Sequence, residues 1–385
     1  MRRKHIFLYV ATLFTVLPLL LAGCGTIIPR LHFVPPGEAE TKFPGIAELA
    51  TDTNVPVRVF LIHGVSHHDF GWATNTYLNP VLTQLGWHFQ EGDNGTEWKD
   101  IIVSGANTNG FAARLTRYTI ADRNFHRMVA YELTWSPLVD PFKSARLASD
   151  EPQPRPYANQ KLREALDDSL VDAVLYASKF DNDIMARSTS QALKMFYDGD
   201  LDSEETRQQL VRSPVVLITE SLGSKMLFDA IRKDQAANSA SVNHNQAFEQ
   251  MIKNNLYIFM MANQLALLDM PEPRANGPVP PPTATFFAAA SQSPSLKAVV
   301  STHAIIAPET PLLFVAFSDL YDDLSWKVRR ADLGFEPGAN VTIDNFNPVN
   351  SWNYFGFIED PRRAHTRYGA NAKVVETVVR GYKWK

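Results

Sequence analysis

Val215-Val216-Leu217-Ile218-Thr219-Glu220-Ser221-Leu222-Gly223-Ser224 is an apolar, largely β-branched run that breaks into a polar turn around one serine. Leu222, Met226, Leu227, Ala230 and Ile231 then repeat at helical spacing, and Pro214 stands before the run, so the unit reads strand, tight turn, helix. A serine on such a turn, at the carboxyl end of a parallel strand, projects its hydroxyl from the sheet edge with the helix amino terminus facing it. Close approach of strand and helix demands small residues two positions before and two after the serine. Gly223 meets the second demand, whereas Thr219 stands where glycine is expected at the first, giving Thr-x-Ser-x-Gly.

Further pieces lie on either side of this stretch. Upstream, Val57-Arg58-Val59-Phe60-Leu61-Ile62-His63-Gly64-Val65 is a second buried-strand run, ending in His-Gly. Downstream, Leu312 to Phe317 is a strand run followed by Ser318-Asp319-Leu320-Tyr321-Asp322-Asp323, and a late histidine, His365, lies between a last strand at 340–345 and a final helix at 371–380. Serine, acid and histidine in that chain order, with the strand-turn-helix unit, resemble the α/β-hydrolase superfamily of serine esterases and lipases over residues 55 to 385. The resemblance implies an α/β fold, with a mostly parallel sheet and helices on both faces. It implies Ser221 as nucleophile, His365 as general base and an acid in the loop after the strand at 312–317. Asp319, Asp322 and Asp323 compete for the acid. Asp322 is the choice, three residues beyond Asp319, which reads as an Asx cap of the turn backbone. His303 is the rival base and precedes the acid. The oxyanion hole would be the backbone N–H groups of Val65 and Leu222.

The chain is 385 residues long, 45% hydrophobic and of net charge −4, which fits a large globular core and gives no basic excess for nucleic acid. Its start differs in kind. Arg2, Arg3 and Lys4 precede an apolar run from Ile6 to Leu21 that closes on Leu21-Ala22-Gly23-Cys24. This resembles the signal peptide and lipobox of bacterial lipoproteins, with residues 1–23 removed and Cys24 carrying diacylglycerol and palmitate as a membrane anchor. Gly25, in place of Asp, favours the outer membrane on that resemblance. Cys24 is the single cysteine, so the exported chain would hold no disulfide. Residues 24–53, with Pro29, Pro35, Pro36, Gly37 and Pro44, read as a lipidated tether, and 54–385 as the hydrolase domain.

Within the domain, Asn75 to Trp87 carries a helical stripe, and strands are expected at 111–120, 127–134 and 256–262. Residues 136–212 read as a helical insertion before the nucleophile strand, either a cap over the site or an enlarged connection. His67, His68 and Asp69 lack a third ligand at metal spacing and read as a solvated lip of the cleft. Asn263 and Gln264, at a strand end, read as loop caps or substrate-orienting amides. Met270 to Pro282 is a proline-rich surface loop, and Trp352, Tyr354, Phe355 and Phe357 are core or an acyl pocket. The expected activity is ester hydrolysis through an acyl-enzyme, with an ester or acyl-lipid substrate, no cofactor and no metal. The substrate and the oligomeric state are not legible. A noncatalytic envelope scaffold and an acyltransferase or thioesterase with the same triad are the alternatives.

Overall fold

The computed structural model describes residues 32–33, 42–90, 95, 97–103, 111–148, 156–177, 182–237, 256–268, 312–333, 341–351 and 360–382. Its strands are β1 (His32–Phe33), β2 (Phe43–Pro44), β3 (Val57–Ile62), β4 (His88–Phe89), β5 (Glu97–Ile101), β6 (Ala113–Ala121), β7 (Arg127–Thr134), β8 (Val215–Glu220), β9 (Leu256–Met261), β10 (Leu312–Phe317), β11 (Val341–Phe346) and β12 (Gly381–Tyr382). The ten-stranded sheet runs β1-β11-β10-β9-β8-β3-β7-β6-β4, with β5 also on β6. From β7 through β3, β8, β9 and β10 to β11 every neighbour is parallel, while β1, β4, β5 and β6 pair antiparallel. All residues of β3, β8, β9, β10 and β11 are buried, as expected of central strands covered on both faces and rich in Val, Ile, Leu and Phe.

Alternation along the strands feeds two apolar layers. Phe60, Ile62, Val215, Leu217, Ile258 and Phe314 face one, with α2 (Ser136–Ala148), α5 (Asn182–Asp198) and α7 (Leu222–Ala237) packed over them. Between α2 and α5 lie α3 (Tyr157–Ala165) and α4 (Val171–Ala177), and α6 (Glu204–Leu210) precedes β8, so the stretch between β7 and β8 is helical as the sequence suggests. Val59, Leu61, Val216, Ile218, Phe259 and Val315 face the other layer, covered by α1 (Asn79–Leu85) and by α9 (Ala372–Arg380). Helix α9 buries Val374, Val375, Val378 and Val379 on one stripe, each burial contributing about 1.5–3 kcal/mol as an upper figure. Thus the chain is α/β, with a mostly parallel mixed sheet and helices on both faces.

Two expectations are corrected. The segment read as tether to residue 53 belongs in part to the folded body: Phe43 and Ile46 are buried, β2 pairs with β12, and β1 pairs with β11. Prolines and glycine suggested an extended linker there, but Phe43 and Ile46 have apolar partners in the layer under α9, and burial overrides composition. The helical stretch expected at Asn75–Trp87 is present, as a π-helical turn at Thr74–Leu78 that runs on into α1. His365 sits in a short helix, α8 (Pro361–Thr366), not in a loop. Asp360 caps that helix by accepting from the amides of Arg362 and Arg363, and Pro361 opens it with its φ already set.

Candidate active site

Parallel strands put the carboxyl ends of β3, β8, β10 and β11 on one edge, and the sequence-predicted residues meet there. The Ser221 Oγ lies 3.0 Å from His365 Nε2, and His365 Nδ1 lies 2.8 and 2.9 Å from the two carboxylate oxygens of Asp322. A histidine Nδ1–H that donates to a carboxylate leaves Nε2 as the acceptor, which is the tautomer able to take the Ser221 proton. Asp323 is exposed and Asp319 serves elsewhere, so of the three competing acids Asp322 alone reaches the histidine. His303, the rival base, lies outside the described residues, as do residues 1–31 with Cys24, the Met270 to Pro282 loop and the aromatic residues Trp352, Tyr354, Phe355 and Phe357.

Ser221 has φ +51°, in the left-handed region that a residue with a Cβ occupies only when its surroundings force it. The forcing contacts are short-range. A Cβ on Gly223 would stand 2.7 Å from the His63 carbonyl oxygen, so only glycine lets α7 approach β3. A Cβ on Gly64 would stand 2.6 Å from the Ser221 Cβ, which places the His-Gly turn directly against the nucleophile candidate. Thr219, standing where glycine is expected, is buried and shares a hydrogen bond of 2.7 Å between its hydroxyl and that of Ser224 in the first turn of α7.

The turn after β3 is held group by group. The Gly64 amide donates to Glu220 Oε2 at 2.5 Å, and the Ser66 amide donates to Asp172 Oδ2 at 2.7 Å. His63 Nε2 accepts from the Trp135 amide at 3.1 Å, so its Nδ1–H donates to the Gly64 carbonyl at 2.9 Å. Burial, then the nearby His68, holds the His63 pKa well below its ordinary value, and the ring stays neutral in this role. His68 Nε2 donates to the Val65 carbonyl at 2.9 Å while its ring stacks on Trp72. A trans peptide points N–H opposite to the preceding C=O, so fixing the Gly64 carbonyl fixes the direction of the Val65 N–H. Gly64 and Ser66 spend their amides on carboxylates, and the Val65 amide between them has no acceptor among the described hydrogen bonds. Leu222 is the first residue of α7, so its N–H has no intrahelical acceptor either. Two amide donors therefore flank Ser221.

Further residues that sequence reading passed over complete the site. Tyr368, wholly buried, donates its hydroxyl to Asp322 Oδ2 at 2.9 Å and accepts from the Asp319 amide at 2.8 Å. Asp319 accepts from the Tyr321 amide at 3.0 Å, which is the Asx-type turn expected of it, and from the Asn350 amide at 2.6 Å. Asn350 in turn donates to the Ala364 carbonyl at 2.7 Å, next to His365. Asn263 is a cap: its Oδ1 accepts from the Leu265 amide, and its Nδ2 donates to the Trp326 carbonyl. His67 pairs with Asp140 at 2.6 Å and is largely exposed, as the lip reading has it. No group of three or more potential metal ligands occurs among the described residues.

Electrostatics favour the relay. Burial lowers the His365 pKa, but the hydrogen bond and charge of Asp322, with a smaller share from Glu220, outweigh it, and the net shift is upward. Glu220 is fully buried, and burial raises its pKa against the opposing pull of His365 and of the Gly64 amide. Its only sequence signal was its place before the serine. Burial pushes Asp319 up to about 6. Ser221 itself has no solvent exposure, and His365 is 9% exposed. Comparison of the chain with known protein families, with curated proteins and with solved structures found no match.

Proposed function

We propose that this protein is a serine hydrolase of the α/β-hydrolase type that cleaves carboxylic esters, exported and held at a bacterial envelope membrane by lipid on Cys24. The observation that carries the reading is the relay from Ser221 Oγ through His365 Nε2 and Nδ1 to Asp322, at 3.0 and 2.8 Å. In this reading His365 takes the Ser221 proton as Oγ attacks the ester carbonyl. The tetrahedral oxyanion takes the Val65 and Leu222 amides, and collapse expels the alcohol with the proton from His365. Water then attacks the acyl-enzyme by the same route, releasing the acid and restoring the serine. Asp322 stabilises the imidazolium, and Tyr368 keeps that carboxylate in place. No step calls for a cofactor.

The full burial of Ser221 favours one rival, a noncatalytic hydrolase-type scaffold whose serine meets no substrate. A fluorophosphonate probe separates the two without a guess at the natural ester. Covalent labelling that Ser221→Ala and His365→Ala abolish supports the hydrolase. A folded protein that stays unlabelled, and inert toward short p-nitrophenyl esters, rejects it.

A further inference from the structure

The first described strand fixes where the chain enters the sheet. β1 is antiparallel to β11, with His32 opposite Phe346 and Phe33 opposite Asn345, so its amino end lies at the carboxyl end of β11. Phe317 lies beside Phe346 in turn, and the β10 loop carrying Asp322 leaves from there. His32, the amino end of β1, therefore lies at the same sheet edge that holds Ser221, Asp322 and His365. Cys24 precedes His32 by eight residues. Fully extended, that segment reaches at most about 28 Å at ~3.5 Å per residue, about the thickness of a bilayer's hydrocarbon core.

That edge also carries exposed apolar side chains. Leu320, Leu324 and Trp326 are 48%, 49% and 44% exposed in the loop around Asp322, and Val349 is 43% exposed beside Asn350, whose amide Asp319 binds. Their backbone is held: Trp326 exchanges hydrogen bonds with Asn263, and Asp319 joins the two loops. Apolar side chains kept on the surface by a fixed backbone suit an apolar contact. Arg362 and Arg367, exposed on and just after the helix bearing His365, add positive charge suited to anionic headgroups, with Asp323 opposing on the loop.

We infer that the triad-bearing edge rests on the phospholipid bilayer that anchors Cys24, with Leu320, Leu324, Trp326 and Val349 in the interface, and that the ester cleaved is an acyl ester of a membrane lipid. This rests on the proposed lipidation and hydrolase readings. The short reach from Cys24 to the triad edge singles out the membrane over a second protein as occupant. A chain anchored from the opposite edge would have to pass the whole sheet to bring its serine to lipid. Here the lipid alcohol leaves with the proton from His365, and water releases the fatty acid.

The mature lipidated chain is reconstituted in vesicles of phosphatidylethanolamine and phosphatidylglycerol. With Cys24 acylated, Leu320→Cys supplies a unique thiol for an environment-sensitive fluorophore. Phe125→Cys, at an exposed turn on the opposite sheet edge, is the control. The expected result is a blue-shifted probe at 320, quenched by spin-labelled lipid, and a water-like probe at 125. Equal quenching at both sites, or quenching at 125 alone, overturns the orientation. Palmitate missing from Cys24 removes its premise and overturns it through the anchor, a failure that mass spectrometry distinguishes. Leu320→Ser with Val349→Ser should lower kcat/KM on vesicle phospholipid about tenfold and leave hydrolysis of a soluble short ester within about twofold. Equal loss on both substrates overturns the proposal. Absent fluorophosphonate labelling of wild type overturns the lipid-ester half, while the probe pair still decides the orientation.

Discussion

Tyr368→Phe isolates the support of the candidate triad from the triad itself. The change removes one oxygen from a fully buried ring and leaves its shape, so no cavity term enters. Two bonds go: the 2.9 Å donation to Asp322 Oδ2 and the 2.8 Å acceptance from the Asp319 amide. A hydrogen bond to a charged group is worth about 1.5–3 kcal/mol, and an orphaned buried N–H costs about 1–3 kcal/mol. The two share one atom and do not add fully, so a loss of about 3 kcal/mol and a Tm lower by roughly 5 °C are expected. Catalysis should suffer less. His365 Nδ1 still reaches both Asp322 oxygens at 2.8 and 2.9 Å, so the tautomer persists. A kcat reduction of about tenfold is expected, far short of the about 10⁴-fold that losing the triad carboxylate causes. The pH profile carries the sharper signal. With one donor gone, Asp322 concentrates its charge on the imidazole, so the His365 pKa rises and the acidic limb moves to higher pH. Thermal denaturation and kcat/KM on a p-nitrophenyl ester across pH measure both effects. A variant with unchanged Tm and unchanged limb, or one as inactive as His365→Ala, would refute the support role.

Asp322→Asn should lose about 10⁴-fold in kcat, with an Asp322/His365 double variant scarcely slower than either single one, and should also lose stability, because one amide oxygen cannot serve the Tyr368, His365 and Leu324 donors. Asp319→Asn should lose about 1–3 kcal/mol, since one amide oxygen cannot serve both the Tyr321 and Asn350 donors. The folded pKa of Asp319 is about 6 against 3.8, so the folded state binds the extra proton between those values and stability falls as pH rises across that window. Denaturant titrations should show that component vanish in Asp319→Asn. In the proposed mechanism His365 must be neutral to act as base, and its pKa is raised, so wild-type kcat/KM on an ester should fall with acid along a limb centred above 6.5; a midpoint below that value contradicts the charge arrangement. Gly64→Ala puts a Cβ 2.6 Å from the Ser221 Cβ, and displacement of the serine should cut fluorophosphonate labelling by at least about 10²-fold.

The buried parallel strands were legible where apolar residues run on unbroken, as in β9 and β10, or with one or two polar interruptions, as in β3 and β8, and the strand-turn-helix around Ser221 because a change of period marks it. Asp322 stood out from Asp319 by its spacing past β10, and the two carboxylates do part as that spacing suggests, one to His365 and one to the turn. The edge was harder. β5 reads Glu-Trp-Lys-Asp-Ile, largely exposed, and its register depends on partners in β6 that no local pattern announces. Asp360-Pro361 did announce the helix under His365, a capping signal passed over. Phe43 and Ile46 lay inside a composition that reads as linker. Glu220, Tyr368 and Asp172 act across sequence separations of 156, 46 and 106 residues, and contacts of that kind leave no trace in spacing.

The bond from the Ser66 amide to Asp172 joins the turn beside Ser221 to α4, and Lys143 on α2 pairs with the same carboxylate. Ser66 sits at φ +85°, a conformation it keeps only while something grips it. The helical stretch before β8 and the amide turn consequently share one opening event. A hinged cover gains turnover when it swings aside; here a partial unfolding that frees Asp172 also lets the turn relax. A protease cut between β7 and β8 should then silence the protein with Ser221, His365 and Asp322 all intact, and slow hydrogen exchange at the Ser66 amide would report how seldom the grip is released.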